Sequence, residues 1–152
     1  MANEVANIAI NVTMTANKDS GIGTVKDSVS QSGLGISKTG GTINYYHSEG
    51  VLGNPEVLVL NDASIEDAFG DGITFLTLHA ILIENNSGDT LQIGAGANPI
   101  DIFGDKASDT FELVTGGTFV YENPTGLTLG ADDTLTITGS AGSAKIIIIG
   151  AE

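Results

Sequence analysis

The chain has 152 residues, with 5 basic and 19 acidic side chains and a formal charge of −14. With no cysteine, disulfide scaffolds, thiolate zinc sites and cysteine nucleophiles are excluded, and five cations cannot neutralise a phosphate track, so nucleic acid is not an expected partner. A hydrophobic content of 41% separates the chain from disordered acidic tails, and its length suits a single domain over residues 1–152, with 1–16 as an N-terminal strand or arm.

No apolar run approaches the roughly 20 residues that span a bilayer, and the opening Met-Ala-Asn-Glu has neither the basic nor the apolar region of a signal peptide. No membrane partner is expected. Twenty-one glycines against three prolines predict many tight turns between short strands.

Ile8, Ile10, Val12 and Met14 alternate with Asn7, Ala9, Asn11 and Thr13, the period of a strand with one buried face. From Ser20 to Gly53 the chain is rich in Gly, Ser, Thr and Lys, with Ile36, Ile43, Tyr45 and Tyr46 as anchors; edge strands and long loops are expected there. Ser64–Phe69 is the best helical candidate, with Ser64 and Asp67 spaced as a capping pair. Phe75–Ile83 is apolar at both parities, as is Ile146–Ile149. Such strands belong at the centre of a sandwich or against another subunit, paired on both sides.

Leu91 and Ile93 alternate with polar residues after the turn Asn86-Ser87-Gly88-Asp89. Phe111 and Leu113, then Phe119 and Tyr121, flank Gly116-Gly117 and predict a β-hairpin. Leu127 and Leu129 add a short strand, and Leu135 and Ile137 alternate with Thr134, Thr136 and Thr138. Asp89–Ile93 weakly echoes Asp133–Ile137, and Glu84-Asn85 echoes Glu122-Asn123. About nine or ten strands near ten residues apart predict an all-β, antiparallel β-sandwich of the jelly-roll kind.

Candidate chemistry is sparse. His79, among Leu78, Ala80 and Ile81, suits a hydrogen-bonded core or interface imidazole better than a catalytic base; His47, after Tyr45-Tyr46, suits a loop or edge. Thr138-Gly139-Ser140-Ala141-Gly142 lacks the first glycine of a nucleophile elbow and reads as a hairpin turn. Gly94-Ala95-Gly96-Ala97 lacks the spacing and the lysine of a phosphate loop and reads as a glycine turn.

Carboxylates form three groups: Asp62, Glu66, Asp67 and Asp71; Asp101, Asp105 and Asp109; Asp132 and Asp133. Ca²⁺ takes several oxygen ligands at about 2.3–2.6 Å, and such loops supply oxygens, but none has EF-hand spacing. A glycosidase pair drawn from them would lack aromatic platforms, since Trp is absent and Tyr numbers three. No catalytic residue or cofactor is expected, Ca²⁺ being the one metal considered.

One stretch carries a pattern of its own. Leu78–Pro99 contains Ile83-Glu84-Asn85-Asn86-Ser87-Gly88-Asp89-Thr90-Leu91-Gln92-Ile93-Gly94; Phe111–Pro124 follows, then Asp132-Asp133-Thr134-Leu135-Thr136-Ile137-Thr138 and Lys145-Ile146-Ile147-Ile148-Ile149-Gly150. Residues 74–152 thereby resemble the small all-β virion proteins of tailed bacteriophages, a group that includes capsid decoration (cement) proteins and head fibres.

The resemblance implies a non-enzymatic structural protein on the capsid exterior. It implies a homo-oligomer, a trimer by preference, bound to the major capsid protein. Ile8, Ile10, Val12, Phe75, Leu78, His79, Ile146 and Ile148 are the interface candidates. Two alternatives stand beside it: a tail or baseplate component, and a carbohydrate- or host-binding sandwich that uses Tyr45, Tyr46 and His47.

Overall fold

The computed structural model describes residues 11–20, 23–32, 43–67, 70–103, 107–139 and 142–152, those before Asn44 by backbone alone. Its contacts gather the chain into two compact units, residues 1–38 and 39–152. In the first, β1 (Asn11–Ser20) pairs antiparallel with β2 (Gly23–Ser32) in unbroken register from Asn11 opposite Ser32 to Ser20 opposite Gly23. The expected strand over Asn7–Met14 thus continues to Ser20, while Ile8 and Ile10 lie outside the described residues.

Among its described residues the second unit holds ten strands: β3 (Ile43–Val51), β4 (Glu56–Val59), β5 (Ile65–Glu66), β6 (Gly72–Ile73), β7 (Thr77–Asn85), β8 (Leu91–Gly94), β9 (Thr110–Leu113), β10 (Thr118–Thr128), β11 (Thr134–Thr138) and β12 (Ser143–Ala151). Eight of them form two four-stranded antiparallel sheets, ordered β10-β7-β12-β3 and β4-β11-β8-β9; β5 and β6 form a small ladder of their own. The fold is all-β, an antiparallel sandwich, with no helix among the described residues.

Alternation places the core. Leu135 and Ile137 of β11, Leu91 and Ile93 of β8 and Leu58 of β4 meet Leu78, Ile81 and Ile83 of β7 and Ala144, Ile146 and Ile148 of β12 in one cluster between the sheets. Each such Leu or Ile contributes about 1.5–3 kcal/mol on leaving water. The two sequence-echo segments, Asp89–Ile93 and Asp133–Ile137, fall on adjacent strands, with Ile93 opposite Ile137. Thr136, on the outer side of β11, is buried beneath the loop after β8, where Gly96 lies against the Thr134 and Thr136 hydroxyls.

The two doubly apolar segments are neighbours at the centre of one sheet: β7 lies between β10 and β12, and β12 between β7 and β3. Phe75 and Ile146 face the core, and on the opposite face Leu82 and Ile147, paired in register, are also only 2% and 1% exposed. Both faces of this sheet centre are therefore dry.

Three local expectations are corrected. Ser64–Phe69 is not a helix: Ile65–Glu66 pairs with Gly72–Ile73, and Asp67 closes the intervening turn by accepting from Asp71 N at 2.9 Å. Ala68 and Phe69 lie outside the described residues. Gly116-Gly117 does not close a hairpin, because β9 and β10 belong to different sheets. Its backbone instead bonds the end of β7, Gly116 N to Asn85 O and Asn85 N to Gly117 O, both at 2.9 Å. The segment after Thr138 likewise passes from one sheet to the other, since β11 and β12 are not paired.

Candidate functional site

His79 occupies an unusual place in its sheet. On one side Ile149 pairs with Ala80 and Gly150 with Leu78; on the other Glu122 pairs with Ala80 and Leu127 with Leu78. Both ladders therefore skip His79, and β10 leaves four residues, Asn123–Gly126, unpaired in passing it. A bulge of this kind re-aims the side chain at the skipped position.

The imidazole is 2% exposed, and its Nδ1 lies 3.2 Å from Asn123 O. Asn123 shapes the excursion: its Oδ1 accepts from Thr125 N at 3.1 Å and Thr125 Oγ1 at 2.8 Å, and its Nδ2 donates to Tyr121 Oη at 3.3 Å. Gly126 has φ of 83° and rests on the ring, where a Cβ would stand 2.8 Å from His79 Cε1. The ring supports the loop from beneath, which is the buried, hydrogen-bonded imidazole expected from the sequence.

The other histidine lies on edge strand β3. Register sets Tyr45, His47 and Glu49 opposite Ile149, Ile147 and Lys145 on the outer face of the sheet. Tyr46, on the alternate parity, packs against the sandwich core, so the Tyr45-Tyr46-His47 trio is divided between two faces. His47 Nε2 is buried without a hydrogen-bond partner. Lys145 Nζ bonds Glu49 Oε1 at 3.2 Å, and Glu84 flanks the lysine on its other side in register. An apolar centre bordered by this charged row makes up the outer face.

Of the interface candidates, Phe75, Leu78, Ile146 and Ile148 are part of the sandwich core, filled from within one chain. Leu82, Ile147 and Ile149 hold the outer positions on the same strands. A segment apolar at both parities does not say from sequence which parity faces which way.

The carboxylates serve the turns. Asp62 Oδ1 accepts from Ser64 N at 2.8 Å, and the Ser64 hydroxyl and amide hold the Asp62 carboxyl below its ordinary pKa. Asp133 Oδ2 accepts from Gly130 N at 2.7 Å; the Asn61 side chain bridges the same loop, donating to Gly130 O and accepting from Asp132 N. Asp105 lies outside the described residues. Among the described residues no three His, Asp or Glu side chains are grouped to hold a metal ion. In the Gly94–Ala97 turn, Ala95 N and Gly96 N donate to Asp109 O and Ala107 O, so these two amides are already engaged.

No known family's model matches the chain, and no curated protein matches its sequence.

Proposed function

We propose that the chain is a non-enzymatic structural protein of a tailed-bacteriophage particle, a decoration protein that self-associates and binds the outer capsid surface. The observation that carries this reading is the strand order. Counting the eight sandwich strands along the chain, the sheets run 1-8-3-6 and 2-7-4-5, and every connection except that between β8 and β9 passes from one sheet to the other. This order supports a jelly roll, an architecture that recurs in viral capsid proteins and in lectins.

Fold alone does not assign function. Two further features support the virion reading: the pattern over residues 74–152 that resembles phage virion proteins, and the charge of −14, which keeps the protein off packaged DNA. The side-chain bonds of Asn85, Asn123 and Asn61 are spent on fixing turns and loops, as a rigid building block requires.

Purified particles test the proposal. The chain is expected on the capsid surface by labelled electron microscopy, and particles lacking it are expected to lose their DNA at lower temperature. Its absence from particles, or its presence only at the tail, would overturn the decoration reading. One observation favours a second reading, a glycan-binding module: Tyr45 and His47 hold successive, partly exposed positions on the outer face of an edge strand. Glycan-array binding lost on Tyr45→Ala would establish it instead.

A further inference from the structure

The first unit is one-sided. The register of β1 on β2 assigns Val12, Met14, Ala16, Val25 and Val29 to one set of alternate positions, while the ten residues of the other set, from Asn11 to Ser32, include no apolar residue. The two charges in the apolar set, Lys18 and Asp27, take diagonal register positions and are opposite in sign. A two-stranded hairpin is marginal by itself in water, so a hairpin of ten registered pairs needs something to cover its apolar side.

Charge argues for a second copy as its cover. Residues 1–38 carry three lysines against Glu4, Asp19 and Asp27 and are net neutral; residues 39–152 carry two lysines against sixteen acids, the whole −14. Two copies that met through their second units would bring like charges together, a repulsion that grows as salt is lowered. Two neutral hairpins meet without that penalty, and one apolar stripe against its own copy is a self-complementary, isologous contact.

We infer that the β1–β2 hairpin is the self-association element of this chain, its apolar face packing on the same face of a second copy. The inference rests on the proposed role as an assembling structural protein and names the surface that assembles.

Sedimentation velocity of the full chain at micromolar concentrations tests it. The protein is expected to self-associate, and Met14→Lys with Val29→Lys, a paired position on the apolar side, is expected to weaken association at least about tenfold. Thr13→Lys with Ser30→Lys adds the same charge to the neighbouring pair on the polar side and is expected to leave association within about threefold of the parent. The milder Met14→Thr with Val29→Thr, which keeps strand-forming residues, is expected to weaken association too, guarding against simple unfolding of the hairpin.

A monomeric parent protein, equal association in the Met14/Val29 variants, or equal loss in the polar-side variant would each overturn the inference. The particle experiment reads separately. A monomer that still decorates capsids overturns the hairpin alone, and a self-associating chain absent from particles overturns the virion role alone.

Discussion

Asn85 is fully buried at the end of β7 and uses its whole side chain. Nδ2 donates to Asp89 O and Leu113 O, both at 2.8 Å, while Oδ1 accepts from Ser87 N at 2.9 Å and Ser87 Oγ at 2.5 Å. One residue thus ties the turn between β7 and β8 to the end of β9. Asn85→Leu keeps the volume but takes the side-chain partner from Leu113 O and Ser87 N, each worth about 1–3 kcal/mol when buried without a partner, while Asp89 O keeps the Ser87 hydroxyl. A loss of about 4 kcal/mol in urea unfolding is expected; a loss below about 1 kcal/mol would mean water takes over these bonds.

Asp62 offers a second measurement at this scale. Its folded pKa is depressed by Ser64, so its contribution is present above the unfolded pKa and fades as pH falls through the folded one. NMR titration of Ser64→Ala should return the Asp62 pKa towards the ordinary carboxyl value of 3.8. An unchanged titration would remove the Ser64 hydroxyl as the cause. Neither role was legible from sequence: Ser64 reads there as a helix cap when its partner is the nearby Asp62, and the Leu113 partner of Asn85 is set by the assembled loops.

Between elements, what was legible is what period 2 encodes. The alternation of Leu135 and Ile137 with threonines gave the inner face of β11, and the double apolarity of Phe75–Ile83 and Ile146–Ile149 gave the sheet centre. Partner choice was not encoded locally. Gly116-Gly117 has the composition of a hairpin turn, yet Phe111 and Phe119 meet across it as tilted rings 5.5 Å apart that join the edges of two sheets. Ser64–Phe69 has a capping pattern, but a ladder from Ile65 to Ile73 outcompetes one helical turn, which is costly to nucleate.

The dry outer face gives a prediction for elements. Ile146→Ala and Ile147→Ala, on opposite sides of β12, should each cost about 2–5 kcal/mol and agree within about 1 kcal/mol. Thermal or urea unfolding decides it. A cost under about 1 kcal/mol for Ile147 would mean that its side of the sheet is open to water.

For the molecule as a whole, charge is as unevenly distributed as hydrophobicity. Sixteen acids against two lysines in residues 39–152 repel one another, and Lys145, set between Glu49 and Glu84, relieves only its own neighbourhood. Raising the salt from about 0.02 M to about 0.5 M shortens the screening length several-fold, so the melting temperature of this unit should rise. A flat or falling melting temperature would show that local turn bonds to carboxylates, such as those of Asp62 and Asp133, already neutralise the repulsion. Composition alone made the net charge legible. Its confinement to one unit became meaningful only with the division at residue 38.

β12 joins β3 to β7 at the heart of its sheet, and among the described residues β3 has no other ladder partner. It is also the last of the twelve described strands to leave the ribosome. A nascent chain halted anywhere before Ser143 holds β3 and β7 with nothing between them, each an open template for a stranger's strand. Vectorial synthesis therefore cannot join β3 to β7 until Ser143–Ala151 has emerged.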